Sequence, residues 1–279
     1  MPKRKLTGLR VLVTGASQGI GRALAVSAAK RGCKVLAAAR SQPLLDELAK
    51  EVRAAGGTIQ TVPADVTSPA DRQAMVDAAQ RHFGGLDVLI NNAGIGATGH
   101  FMDSDPAVLR QIFEVNYFGL CEVTRAFIPI LKKGTTPAIV NISSVVARRA
   151  LPARSLYSAS KFAVAGLSEA IRAELSKDGI DVVVVNPGLT QTNFSQNMLE
   201  AKAKLSLDHK RGMTSEQVAE ATLDAVAANK TEVTLTFQGK LLVLVNRYAP
   251  WVIDLFAKKK VRELFAAEIA AREQARAGG

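Results

Sequence analysis

The chain has 279 residues, 48% of them apolar, and a formal net charge of +11, which is enough for one large domain with a sizeable core. Two cysteines, Cys33 and Cys121, exclude a disulfide framework, and His82, His100 and His209 lack metal-ligand spacing, so no metal site is expected. No helix-turn-helix, zinc-finger or RNP pattern accompanies the basic excess, which reads as solvated surface charge and not as a nucleic-acid site.

The opening MPKRKLTGLR is charged and has no apolar h-region, and no run of about 18 apolar residues follows. Neither a signal peptide nor a spanning helix is expected, and a reducing, cytoplasmic setting fits. The first candidate strand, RVLVT (10–14), runs directly into TGASQGIG (14–21). Gly15, Gly19 and Gly21 sit where a strand turns into a helix, which permits a tight turn and close backbone approach to a pyrophosphate. The helix that follows offers free N–H groups and a positive dipole end. Ser17, Gln18 and Ile20 complete the loop. The glycines alone fit a tight turn without a ligand, but their place after the first strand favours a dinucleotide.

The second strand, KVLAAA (34–39), is followed by Arg40 and Ser41. An acidic residue at its end would hold the ribose 2′-hydroxyl of NAD; Ala39 stands there instead, and an arginine can pair with a 2′-phosphate. NADP(H) is therefore the expected cofactor. Arg22 is either a second partner for that phosphate or a solvated helix residue. The third strand, TIQTV (58–62), leads to PADVTS, where Asp65, with Val66 beside it, either bonds the adenine edge or caps the next helix.

The fourth strand, LDVLIN (86–91), leads into NNAG (91–94). Asn91 can tie neighbouring strands, and Asn92, Ala93 and Gly94 form a turn with room for a flat ring or ribose. Asn116 lies in EVNYFG, within a helical stretch. The fifth strand, AIVNIS (138–143), is followed by Ser144, and SLYSASK then places Tyr157 and Lys161 one turn apart on a helix. The sixth, DVVVVN (181–186), is broken by Pro187 and Gly188. In PGLTQTNF, Thr190 and Thr192 can bind an amide or a phosphate. Residues 195–212, SQNMLEAKAKLSLDHKRG, read either as a lid over the substrate or as a solvated helix. EVTLTF (232–237) is the seventh strand. Near-continuous apolar strands alternating with helices predict an α/β domain with a doubly wound parallel sheet of Rossmann type. Residues 1–237 read as the dinucleotide-binding and catalytic domain, and residues 238–279 as its C-terminal helical extension.

A free tyrosine has a pKa near ~10, too high for easy proton exchange at neutral pH. A nearby ammonium stabilises the phenolate, and side chains at i and i+4 are neighbours on a helix. Tyr157 can then give a proton to a carbonyl oxygen, with Ser144 hydrogen-bonded to the same oxygen. The segment VVARRALPARS between them is expected to rim the pocket, with Val145, Val146 and Leu151 as apolar contacts. Arg148, Arg149 and Arg154 are either anion attractors or plain exposed arginines.

Taken together, TGASQGIG, NNAG, Asn116, Ser144 and the Tyr157–Lys161 pair resemble the short-chain dehydrogenase/reductase family over roughly residues 8 to 237, and Asn116, Ser144, Tyr157 and Lys161 match its catalytic residues without substitution. The resemblance implies an NADP(H)-dependent oxidoreductase that interconverts a ketone and a secondary alcohol. It also implies that Lys161 holds the nicotinamide ribose, that Asn116 positions a water in a proton relay, and that the backbone of Leu189 meets the nicotinamide carboxamide.

Acyl-carrier-protein reductases of this family end soon after the seventh strand, whereas this chain continues for some forty residues. In that respect it is similar to members that act on steroid-like or long-chain lipid ketones. A 3-oxoacyl thioester is the alternative substrate, and a non-catalytic NADP(H)-binding regulator is the alternative from another class. KLLVLVNRYAPWVIDLF (240–256) is apolar, with aromatics and a following basic cluster. It is expected to pack on the core or on a second subunit of a homodimer or homotetramer, or to make peripheral membrane contact.

Overall fold

The computed structural model describes residues 4–192, 194, 198–200, 212–266, 269, 270 and 274. Its strands are β1 (Arg10–Thr14), β2 (Lys34–Ala39), β3 (Thr58–Pro63), β4 (Val88–Asn91), β5 (Ala138–Ile142), β6 (Asp181–Asn186), the two-residue β7 (Thr190–Gln191) and β8 (Met213–Thr214), and β9 (Glu232–Thr234). Its helices are α1 (Gly19–Lys30), α2 (Gln42–Ala54), α3 (Pro69–Phe83), α4 (Pro106–Phe113), α5 (Leu120–Leu131), α6 (Ser155–Leu175), α7 (Ser215–Ala227), α8 (Phe237–Tyr248) and α9 (Pro250–Leu264). Among the described residues, seven strands form one parallel sheet in the order β3-β2-β1-β4-β5-β6-β9. That is the doubly wound, Rossmann-type order that the alternation of elements predicts.

Successive strand residues point to opposite faces. Val11 and Val13 therefore join a core with Leu24 of α1, Leu45 of α2 and Leu223 of α7. Leu12, between them, joins Met75 of α3 and Phe127 of α5 on the other face. Burying one such side chain contributes about 1.5–3 kcal/mol. Both faces are covered, which is why the inner strands β1, β4, β5 and β6 carry near-continuous apolar runs.

The strand order reverses between β1 and β4, and a crevice opens beyond their carboxyl ends. Thr14 pins that point, its Oγ1 accepting from Asn92 N at 3.0 Å and Ala93 N at 3.1 Å. Asn91 does tie neighbouring elements: its Nδ2 donates to Asn141 Oδ1 of β5 at 2.9 Å and Thr124 Oγ1 of α5 at 3.0 Å. Asn141 Nδ2 in turn donates to Ser168 Oγ of α6 at 2.8 Å. The buried polar chain thus finds partners and fixes α6 against the sheet.

Three expectations change. The seventh strand stops at Thr234, because Thr236 Oγ1 accepts from Gly239 N at 3.0 Å and caps α8, which begins at Phe237. Asp65 is not the cap of α3: Ser68 is, accepting from Asp71 N, while Asp65 Oδ1 accepts from the backbone and hydroxyl of Thr67. The C-terminal segment does not bury its apolar side in the core, since Phe237, Leu241, Leu244, Tyr248, Trp251, Leu255 and Phe256 are all exposed. It is nevertheless tethered near the crevice, with Asn246 Nδ2 donating to Arg148 O at 2.9 Å and Arg149 paired with Asp254. Of the lid expected at 195–212, only Met198, Leu199, Glu200 and Gly212 are described, and the rest lies outside the described residues. No helix among the described residues is long and apolar enough to cross a membrane.

Candidate active site

A cavity of about 640 Å³ follows the carboxyl ends of the strands, and every cofactor residue expected from the sequence, from Gly15 to Thr192, lines it. The glycine turn is built for close approach. Gly15 has φ +65°, and a Cβ there would lie 2.8 Å from Ala93 Cα. A Cβ on Gly21 would lie 2.2 Å from Gly15 O and 2.4 Å from Asn92 Nδ2. Asn92 Nδ2 instead donates to Thr14 O at 3.0 Å and Gly15 O at 3.2 Å, holding the turn. Gln18 precedes α1 without a side-chain capping bond, so the first N–H groups of the helix keep their donors for an anion. Thr192 faces Gly19 across the cavity, with its Cγ2 at 3.5 Å from the position of a Gly19 Cβ.

At the far end, Ala39 closes β2, and the Arg40 side chain is 72% exposed at the rim, 4.0 Å from Asp65. Ser41 is the N-cap of α2, yet its hydroxyl makes no capping bond. Arg22 is absent from the cavity wall and pairs with Glu51 at 2.5 Å. The arrangement suits a dinucleotide: a glycine cradle that a Cβ would fill, uncapped N–H groups, and a guanidinium and hydroxyl in place of an acid.

Ser144, Tyr157 and Lys161 line the same cavity. Lys161 is buried, with its Nζ donating to Ile142 O at 2.9 Å and lying 5.7 Å from the centre of the Tyr157 ring. Burial pushes the lysine down to about 8. Burial pushes the Tyr157 phenol up to about 12, opposed by the charge of Arg154 and a hydrogen bond with Ser144. The cation that opposes burial at Tyr157 is thus Arg154, and not Lys161 as the helical spacing suggested. The lysine is drawn instead to the end of β5.

Asn116 does not line the cavity. It sits in a π-helical turn, Glu114–Gly119, between α4 and α5. Its Oδ1 accepts from Ile95 N at 2.8 Å, and its Nδ2 donates to Ile95 O at 2.9 Å and Ser160 Oγ at 3.0 Å. Ser160 Oγ donates to Tyr157 O at 2.8 Å. Asn116 therefore ties the loop after β4 to the first turn of α6.

The rim differs from the expectation in two ways. Val145, Val146 and Leu151 do not line the cavity; apolar wall comes from Ile95, Val115, Leu189, Phe194 and Met198. Phe194 stacks obliquely on Tyr157, the ring centres 5.5 Å apart. Of the three arginines, Arg148 pairs with Glu232 and Glu169, Arg149 pairs with Asp254, and only Arg154 lines the cavity. Sequence reasoning passed over Thr14 and Ser160. Both lie inside motifs already quoted, but an ordinary hydroxyl in a strand or helix carries no signal of which backbone it will meet.

Comparison with known proteins agrees with this geometry. The family model described as short chain dehydrogenase matches residues 10–203. The dehydrogenase/reductase SDR family member 7B of Mus musculus is 35% identical over 94% of this chain and 84% of its own. The ketoacyl reductase HetN of a Nostoc strain is 34% identical over 89% of this chain and 88% of its own. Among solved structures, a short chain dehydrogenase/reductase of Burkholderia phymatum in complex with NAD superposes with a TM-score of 0.82 at 27% identity, over 89% of this chain and 96% of that one.

Proposed function

This chain belongs to the short-chain dehydrogenase/reductase family of oxidoreductases, and from that premise we propose that it uses NADP(H) to interconvert a ketone and a secondary alcohol. The observation that carries the reading is the shared cavity: Ser144, Tyr157 and Lys161 line one end of the space whose other end is the glycine turn. When bound, the dinucleotide supplies or accepts the hydride. Gly15 and Gly21 let the backbone approach its pyrophosphate, and Arg40 with the uncapped Ser41 hydroxyl receives the 2′-phosphate.

Tyr157 holds its proton at neutral pH, since its phenol is pushed up to about 12. It stands ready to donate that proton to the oxygen of a ketone as the carbonyl carbon is reduced, because an alkoxide is more basic than a phenolate. Ser144 donates a hydrogen bond to the same oxygen and steadies the charge that develops there. Lys161, held by Ile142 O, keeps its remaining donors for the cofactor ribose. Asn116 acts as a positioning residue, through Ser160 and the Tyr157 carbonyl.

The apolar wall supplied by Ile95, Val115, Leu189, Phe194 and Met198 suits a lipid- or steroid-like ketone. A second reading, reduction of a 3-oxoacyl thioester, is favoured by the likeness to ketoacyl reductase HetN. Retention of both Tyr157 and Lys161 argues against a non-catalytic NADP(H)-binding regulator. The exposed apolar side of α8 and α9 is proposed to meet a second copy of the chain or, as the weaker alternative, a membrane surface.

A panel of apolar ketones and 3-oxoacyl thioesters, each offered with NADPH and with NADH and followed by cofactor absorbance, tests the reading. Turnover of at least one ketone, faster with NADPH, is expected. No turnover of any substrate with either cofactor would overturn it.

A further inference from the structure

Four unfavourable local features meet at Arg154. It is the N-cap residue of the 21-residue helix α6, and it makes no side-chain capping bond. A cation at that end opposes the helix dipole. The residue before it, Ala153, has φ +58°, a left-handed conformation that costs a residue with a Cβ about 1–2 kcal/mol. Its Nε is buried without a hydrogen-bond partner.

Other half-buried arginines find partners: Arg10 meets Asp87, Arg31 meets Glu220 and Asp224, Arg148 meets Glu232 and Glu169, and Arg72 and Arg172 donate to backbone carbonyls. Arg154 joins no ion pair among the described residues, not even with Glu200, which lines a small cleft beside it. Burial accordingly pulls its pKa below the ordinary guanidinium value. A half-buried guanidinium whose Nε is enclosed without a partner is costly, and unfavourable local features cluster where a site needs them.

The missing negative charge has a definite place to come from. Arg154 lines the catalytic cavity, three residues before Tyr157 on α6, and side chains at that spacing are neighbours. The phosphates of a dinucleotide belong at the other end, at the glycine turn and Arg40. Tyr157 cannot neutralise Arg154 while it keeps its proton. The charge is left to the substrate.

We propose that Arg154 is the anion anchor of the substrate site, so that the ketone taken here has an apolar body and an anionic oxygen group a few bonds from its carbonyl. The group is a carboxylate in a keto acid, which can accept the guanidinium's paired N–H donors; the phosphate in the carrier arm of a thioester lies more than a dozen bonds from the carbonyl and serves as the control. This rests on the reading of the Tyr157 cavity as a ketone site. It deepens that reading by naming which apolar ketones are accepted.

The test is equilibrium binding by calorimetry to the protein loaded with oxidised NADP⁺, with which a ketone cannot react, in the wild type and in Arg154→Gln, Arg154→Lys and Tyr157→Phe. The probes are medium-chain keto acids with two to four methylenes between carbonyl and carboxylate, their methyl esters, and the coenzyme A thioesters of the same acids. The wild type should bind an acid roughly tenfold to a hundredfold more tightly than its ester, the worth of one charge-assisted contact. Arg154→Gln should erase the difference, Arg154→Lys should keep part of it, and Tyr157→Phe should keep all of it while turnover is lost. A preference for the thioester over the acid that Arg154→Gln removes would assign the arginine to the remote phosphate and overturn the proposal.

Unchanged NADPH affinity in Arg154→Gln establishes that the fold and the cofactor site are intact. Equal binding of acid, ester and thioester by the wild type would overturn the proposal, as would no binding of any of them. So would an Arg154→Gln variant that lowers kcat equally on acid and ester at unchanged affinity, since that assigns the arginine to Tyr157 and not to the substrate. Failure of the ketone reading would look different: anions would bind through Arg154, and no ketone would turn over.

Discussion

Replacing Lys161 with methionine should make the protein more stable and less active. Lys161 is 4% exposed, and its ammonium donates to one backbone carbonyl, Ile142 O at 2.9 Å. Burial lowers its pKa from 10.5 to about 8, a difference worth about 3 kcal/mol at 1.36 kcal/mol per decade. The sign follows from proton binding. Between pH 8 and 10.5 the unfolded lysine holds a proton that the folded one has lost, so unfolding free energy rises with pH across that window. Below pH 8 the folded protein carries the full penalty of the buried charge.

Methionine has similar length and no charge. It should remove that penalty at neutral pH and give up one hydrogen bond of about 1 kcal/mol, a net gain of about 1–2 kcal/mol. Urea unfolding of both proteins, at pH 7 and again above pH 10.5, reads the difference. The gain should be present at pH 7 and absent in the alkaline series, while ketone reduction falls steeply at both. A variant destabilised at pH 7, or one shifted equally at both pH values, would refute the reasoning that Lys161 is held charged against its burial.

Arg40→Ala should weaken NADPH by roughly tenfold to a hundredfold and leave NADH nearly unchanged; equal wild-type affinity for the two cofactors, read by fluorescence titration, would remove the 2′-phosphate role of Arg40 and Ser41. Gly21→Ala should lower dinucleotide affinity more than tenfold, because its Cβ would fall 2.2 Å from Gly15 O and overpacking of this kind costs about 1–3 kcal/mol; undiminished NADPH binding would contradict the close-approach account of the turn. The exposed apolar side of α8 and α9 should appear in sedimentation velocity as a dimer or larger, or as co-sedimentation with anionic liposomes. A stable monomer that ignores the liposomes would defeat both readings.

Much of the fold was legible because this kind of sheet writes itself plainly. Val11, Leu12 and Val13 are all apolar because β1 is covered on both sides, and the glycine triplet marks the turn that follows. The cavity wall at Gly15–Gly21, Asn92–Gly94 and Pro187–Thr192 was legible for the same reason: strand ends are where the motifs fell. The short pair β7–β8 was not, since two residues per strand carry no periodicity. Nor was the end of β9, where EVTLTF has strand composition throughout, and a capping hydroxyl at Thr236 overrides it.

Electrostatics were the least legible. The spacing of Tyr157 and Lys161 predicted that they share a helix face, but not that the ammonium would turn to Ile142 O, or that Arg154 would supply the cation felt by the phenol. Three arginines in VVARRALPARS looked alike in sequence. Only the positions of Glu169, Glu232 and Asp254, far away in the chain, separate the paired ones from Arg154.

The central claim is that Tyr157 transfers the proton in a hydride reduction carried out in this cavity. The most direct measurement sets Tyr157→Phe beside the wild type, following NADPH affinity by fluorescence and ketone turnover by absorbance on the same preparations. Phenylalanine keeps the ring against Phe194 and removes only the hydroxyl. Turnover should fall by roughly 10²–10⁴-fold, the usual worth of a positioned acid, with NADPH affinity within about twofold of wild type. Near-normal turnover in Tyr157→Phe would contradict the account.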